Sequence, residues 1–222
     1  MNWEDILKKA REHEHKGKDG VPSASALNYT CGMYQSSPSG EAAIMGTAEH
    51  LLQQMDYCPL DAPGDVVERF SYAQMAVEYL KGDMEVYGME IYMEAADPAL
   101  TGSADLILCD HYTMEDVLVI DYKFGQVLVF SNCGQGTGYA WLVFNKIPKA
   151  KRVKFAIVQP KLNKNFEDIS SKVWEKDDAL AYVNHWHLKY NKIAIPNGKD
   201  CQYCMKLGSK DCQETLKLLE EF

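Results

Sequence analysis

Nowhere in its 222 residues does the chain string together the apolar run of ~20 side chains that a bilayer-spanning helix needs. The opening stretch MNWEDILKKAREHEHKGKDG is charged throughout and is expected to form an amphipathic helix rather than a signal peptide. The expectation is a cytoplasmic protein with no membrane partner, a setting that disfavours a disulfide framework. There is no internal repeat and no low-complexity tract. The glycine-rich GQGTG is not followed by the Lys-Ser/Thr of a phosphate-cradling P-loop. Positive charge is not in excess either: 23 basic against 32 acidic residues leave a net charge of −9, which offers a nucleic acid no general electrostatic footprint.

What is present is a composition that builds a core, 46% apolar and 25% charged. At this length it forms one domain, residues 1–222, with an N-terminal helix over residues 1–20 and a cysteine-rich tail over 195–222. VPSAS leads into a helix through ALNYTCGMYQSS, with Ser23 or Ser25 as cap. EAAIMGTAEHLLQQM and VVERFSYAQMAVEYLKG have helical spacing. The period then changes: EVYGMEIYME, GSADLILCD and VLVIDYKFGQ read as successive strands, GYAWLVFNK as a helix, RVKFAIVQPKL as a strand stopped by Pro160, and EKDDALAYVNHWHLKYNKIA as a helix. The expected class is α/β, a mixed central sheet flanked by helices.

One strand poses a chemical question. VLVIDYKFGQ has the β-branched run of a buried strand, yet it ends in Asp121 and Lys123. Residues two apart in a strand share a face, and unpaired charges there are costly. The preceding strand carries a second acid, Asp105, inside its own apolar run. If the two strands pair, two carboxylates and an ammonium meet at one end of the sheet. Either this is a buried ion pair with Asp105 solvated, or the carboxylates hold a divalent cation such as Mg²⁺, which takes oxygen ligands alongside substrate phosphates. Spacing alone leaves the two level. Charge distribution adds a hint: between positions 146 and 164 there are seven basic residues and no acid, including Lys149, Lys151 and Arg152. Such a strip suits a phosphate backbone, or equally a solvated edge protected by lysines.

The set GSADLIL…VLVIDYKFG resembles the G-x-x-D…D-x-K signature of the PD-(D/E)XK nuclease superfamily, in its RecB-like branch. GTAEH resembles the upstream helix motif ending in a histidine, here His50; GQGTGYA resembles the downstream Q-x-x-x-Y motif, here Gln135 and Tyr139; PSASALNYTCGMYQ resembles the Ser-rich opening with its single cysteine. FAIVQPKL and the tail are similar to a phage-associated subgroup. The resemblance spans residues 21–212 and implies a PD-(D/E)XK core. It implies that Asp105 and Asp121 are metal carboxylates and Lys123 the catalytic lysine. His50 and the Tyr122 carbonyl would be further ligands of Mg²⁺ or Mn²⁺, with Glu90 in the outer shell. Gln135 and Tyr139 would position the DNA strand, and Lys149, Lys151 and Arg152 would line its path. The resemblance departs at Gly136, Thr137 and Gly138, where large apolar residues are usual. Two glycines there cost helix propensity, about 1 kcal/mol each, which leaves open whether Gln135 and Tyr139 share a regular helix.

Of seven cysteines, three fall in the tail CQYCMKLGSKDC at C-x2-C-x7-C spacing, a common way to present thiolates to one metal centre. A thioredoxin-like role does not fit, because no βαβ pattern surrounds the pair. The resemblance supplies the fourth ligand: Cys31, Cys201, Cys204 and Cys212 would hold a [4Fe–4S] cluster that docks the tail on the N-terminal region, with structural Zn²⁺ as the alternative. Cys58, Cys109 and Cys133 read as small core residues. The function implied is a metal-dependent DNA exonuclease acting on single-stranded DNA or free ends, in phage or bacterial recombination, repair or replication, with proteins of those processes as further partners. The alternatives are a catalytically inactive DNA-binding module derived from a nuclease and a structure-specific endonuclease.

Overall fold

The computed structural model describes residues 1–12, 21–29, 40–189 and 212. Helices α1 (Trp3–Arg11), α2 (Glu41–Met55) and α3 (Gly64–Lys81) precede strands β1 (Glu85–Ala96), β2 (Ala99–Cys109) and β3 (Asp116–Tyr122); then follow α4 (Gly134–Lys146), β4 (Arg152–Val158), β5 (Ser170–Glu175) and α5 (Lys176–Lys189). The strands form one sheet in the order β1-β2-β3-β4-β5. β1 to β3 make an antiparallel meander, β4 runs parallel to β3 after the α4 crossover, and β5 returns antiparallel. This is the mixed sheet flanked by helices that the sequence leads one to expect.

Strand β3 shows why the sheet is central. Residues 117–122 are all buried, and the alternation sorts them between two cores. Val117 and Val119 pack with α4, α5 and a 3₁₀ turn, Ala24–Asn28, on one face. Leu118, Ile120 and Tyr122 pack with α3 on the other. A strand covered on both faces reads as a continuous β-branched run. A third core joins α1, α2 and α3 through Ile6, Ala48, Leu52 and Val66. It holds α2 between α1 and α3, and His50 in the C-terminal half of α2 sets its ring 5.1 Å from Phe124.

Two expectations change. Strand β5 is absent from the sequence reading, because SSKVWE is a polar edge with only Trp174 buried, so no alternation marks it. The helix expected after Ser23 is, over the described residues, only the 3₁₀ turn, and Tyr29 is already extended. The Ser23 side chain makes no cap bond; its hydroxyl pairs with Ser25 at 2.8 Å.

The question left open at GQGTG is resolved by packing. Gln135 and Tyr139 lie on the regular helix α4, which is buried from Gly134 to Phe144. A Cβ on Gly134 would stand 2.0 Å from the Leu27 carbonyl oxygen, and one on Gly136 would stand 2.6 Å from the Phe155 ring and 2.7 Å from the Ser131 carbonyl. The glycines let α4 sit directly on the 3₁₀ turn and on β4. Their propensity cost is offset by a burial that larger side chains would prevent. Asn28 in the turn then accepts the Gln135 backbone N–H at 2.7 Å, capping the helix from outside.

Candidate active site

Three segments deliver charge to one end of the sheet. Parity puts Asp121 on the α4 side of β3, two positions from Val119, and Lys123 follows on the same side. The Lys123 ammonium lies 2.7 Å from Asp121 Oδ2, and Gln135 Nε2 on α4 donates to Oδ1 at 3.3 Å. Asp121 is 2% exposed, and among the described residues its Oδ2 has no hydrogen-bond donor besides the ammonium contact. Strand β2 brings Asp105, whose Oδ2 accepts the Tyr122 backbone N–H at 2.7 Å. From above, α2 adds His50, with Nδ1 3.5 Å from the same Asp105 oxygen. From the outer side β1 adds Glu90. One ligand atom from each of His50, Glu90 and Asp105 lies within 4.8 Å of the others.

Glu90 arrives there by an unusual backbone. Its φ is +48° in the middle of a strand, a left-handed conformation that costs an L-residue about 1–2 kcal/mol. Strain of this kind persists where the surroundings impose it and clusters at functional sites. The sequence reading put Glu90 in an outer shell. The structure sets it within 4.8 Å of ligand atoms of His50 and Asp105, while Asp121 contacts Lys123 and Gln135.

Titration follows from burial. Asp105 is pushed up to about 6, by burial first, with Lys123 and the Tyr122 N–H working against it. Burial likewise raises Asp121, partly countered by Lys123. For Lys123, burial pulls the pKa down, but Asp121 and Asp105 outweigh it and hold the ammonium above its ordinary range. In the metal-free site the two carboxylates thus favour the ammonium form.

The other sequence-derived residues fall in different places. Tyr139 is buried and donates its hydroxyl to the Ser103 carbonyl at 2.6 Å, anchoring β2 two residues ahead of Asp105. Tyr122 contributes its N–H to Asp105. Lys151 and Arg152 pair with Glu115 and Asp116 at 2.6 Å each, at the start of β3 and β4. The register sets Asp116 opposite Arg152 and Asp121 opposite Ile157. At ~3.3 Å per residue, these cations stand roughly 16 Å from the acids, along with Lys149 at the foot of β4. The basic strip is thus split by the strand, and Lys161 and Lys164 belong to the segment that leaves β4 at the acidic end. Cys31, Cys201 and Cys204 lie outside the described residues, and Cys212 is partly buried.

Sequence reasoning missed the brace behind His50. Its neighbour Glu49, 2% exposed, accepts both Nε and Nη2 of Arg69 at 2.7 and 2.9 Å, and Lys161 approaches at 3.8 Å. This ties α2 to α3 and to the segment after β4, which fixes how His50 meets Asp105. An acid beside the histidine of GTAEH and a lone arginine on α3 were the available signals, but nothing in one dimension pairs positions 49 and 69.

No family model matches the chain, and no curated protein matches it. Solved structures do. It is 15% identical to SSO0001, with a TM-score of 0.43 over 93% of this chain and 94% of that one. It is 11% identical to LHK-Exo, solved in complex with dAMP, with a TM-score of 0.40 over 91% and 95%. A phage-related exonuclease from Haemophilus somnus 129PT is 12% identical, with a TM-score of 0.35 over 82% and 96%. The likeness is faint by these values, and the functional reading rests on the side chains.

Proposed function

We propose that the chain is a metal-dependent deoxyribonuclease, a single PD-(D/E)XK domain that hydrolyses phosphodiester bonds and works as an exonuclease. One observation carries this: His50, Glu90 and Asp105, all partly buried, converge near a buried carboxylate, Asp121, that is paired to a partly buried ammonium. A structural ion pair needs Asp121 and Lys123. It does not need a second, partly buried acid, a strained glutamate and an imidazole at the same place.

The donors suit Mg²⁺ or Mn²⁺, being carboxylate oxygens and one imidazole with no thiol. Two acids whose ionised forms desolvation disfavours are a site that a cation would relieve. His50, Glu90 and Asp105 would hold such an ion, with Asp121 at its side. When bound, it would supply Lewis acidity toward a phosphate oxygen and a water. Lys123 keeps its proton and sets a fixed positive charge where negative charge grows on the phosphoryl oxygens. Asp121 and Gln135 orient that ammonium, Tyr139 holds β2 in register, and the Glu49–Arg69 brace holds His50. DNA is the proposed substrate and a phage or bacterial recombination, repair or replication role the proposed setting. The [4Fe–4S] staple through Cys31, Cys201, Cys204 and Cys212 belongs to the same proposal: protein purified without air should carry iron, and stoichiometric zinc would replace that assignment.

The test is cleavage of end-labelled DNA with Mg²⁺ or Mn²⁺, expected in the wild type and lost in Asp121→Asn. Cleavage that survives in a folded Asp121→Asn protein refutes the mechanism; product lengths separate exonuclease from endonuclease.

A further inference from the structure

The segment between β3 and α4 leaves one side of Asp121 and returns to the other. It starts at Lys123, which contacts Asp121 Oδ2, and ends at Gln135, which contacts Oδ1. Between them it displays large apolar side chains to water: Val127 is 76% exposed, Leu128 54% and Phe130 56%. Scattered apolar residues on a surface are ordinary, but three among four consecutive positions are a defect unless something uses them.

The loop is also held rigidly in that state. Gln159, 1% exposed, accepts the Val129 N–H through Oε1 and donates to the Val127 carbonyl through Nε2, both at 3.0 Å. Asn163 fixes Gln159 in turn, accepting its backbone N–H at 2.7 Å. At the far end Ser131 pairs with Ser170 at 2.9 Å. Val129 turns inward and packs on the core. Buried polar groups are thus spent on presenting an apolar tip.

We infer that residues 127–130 form a seat for unpaired nucleobases of the strand whose phosphate reaches Asp105 and Asp121. This rests on the nuclease reading and names its substrate as single-stranded or frayed DNA. The occupant follows from position and charge. Because both stems of the loop touch Asp121, whatever lies on the tip adjoins the phosphate site. A strand held there presents bases as flat apolar faces and a backbone as negative charge. The tip matches the first, and Lys123 and Lys161 at the same end of the sheet match the second. Stacking on an aromatic side chain takes any base, whereas paired bases in a duplex have no free face to offer.

Binding is measured with Ca²⁺ in place of Mg²⁺, using fluorescein-labelled oligothymidylate and a covalently closed circular duplex. Phe130→Ser should weaken the single strand roughly 5- to 160-fold, the range for loss of one base–aromatic stack, and leave the closed duplex unchanged. Phe130→Trp should restore binding, and its fluorescence should fall when the oligonucleotide is added. Unchanged single-strand binding in Phe130→Ser overturns the seat, as does a Phe130→Ser protein that instead loses self-association in sedimentation, which would assign the tip to a second copy. The nuclease reading fails separately: wild type that does not cleave while Phe130→Trp is still quenched loses the chemistry and keeps the seat.

Discussion

Replacing Asp105 with asparagine should make the metal-free protein more stable, and the gain should depend on pH in one direction. In the fold the acid is pushed up to about 6 from an ordinary 3.8, chiefly by burial. An acid whose pKa rises on folding favours the folded state only while protonated, so its ionisation removes stability as pH climbs from about 4 to about 6. At 1.36 kcal/mol per pH unit over roughly two units, the loss is about 3 kcal/mol once pH exceeds 6. Asparagine keeps the carbonyl that accepts the Tyr122 N–H and carries no charge to desolvate. Urea unfolding in EDTA should therefore show wild type and Asp105→Asn nearly equal at pH 4. At pH 8 the variant should lead by up to about 3 kcal/mol, or about 2–4 °C in Tm for each kcal/mol. Adding Mn²⁺ at pH 8 should reverse the order, because binding stabilises only a protein that retains the ligand. A variant less stable than wild type at pH 8 in EDTA, or a difference that does not change with pH, would refute the argument that burial of a metal carboxylate is what strains this site.

Three further outcomes follow from the geometry. Glu90→Gly relieves the left-handed backbone, so it should leave metal-free stability unchanged or raise it by up to about 1 kcal/mol. It should also weaken Mn²⁺ at least about tenfold by calorimetry, and undiminished affinity would remove Glu90 from the site. Gly136→Ala drives a methyl into Phe155 and the Ser131 carbonyl and should cost about 1–3 kcal/mol. Gly46→Ala on α2, with nothing within 4 Å, should be neutral or stabilising by up to about 1 kcal/mol; equal effects in the two would discard the packing account of GQGTG. Lys123→Met leaves Asp121 buried without its cation and should destabilise by about 3–5 kcal/mol at pH 8. That penalty should shrink toward pH 4 as the acid takes up a proton, and a constant penalty in denaturant titrations would show that packing, not charge, is lost.

The residues that bear chemistry stand out because they break local rules. Asp121 and Lys123 interrupt a β-branched run, and Asp105 sits in another; the period of two by itself puts the first pair on one face. Helices α2, α3 and α5 are legible because their burial is periodic, and strands β2, β3 and β4 because, buried on both faces, they are continuous apolar runs. Where neither pattern is present there is no signal: β5 has one buried side chain, and the described residues after Ser23 make a single turn. Lys151 and Arg152 belong to a basic run in sequence, yet a strand has two ends, and theirs is the end far from the acids.

From the sequence alone came an α/β chain with acids and a lysine on adjacent strands, because alternation and apolar runs are properties of consecutive residues. Tertiary structure alone decided which groups share a centre. It drew Glu90 in through a backbone that only its surroundings enforce, braced His50 through Glu49 and Arg69, and turned the glycines of α4 from helix breakers into contact points. It also pinned the segment that displays three apolar side chains with a glutamine 30 residues away. Each depends on residues distant in the chain meeting at ångström range, where burial sets the cost of charge and a single methyl decides whether two elements can touch.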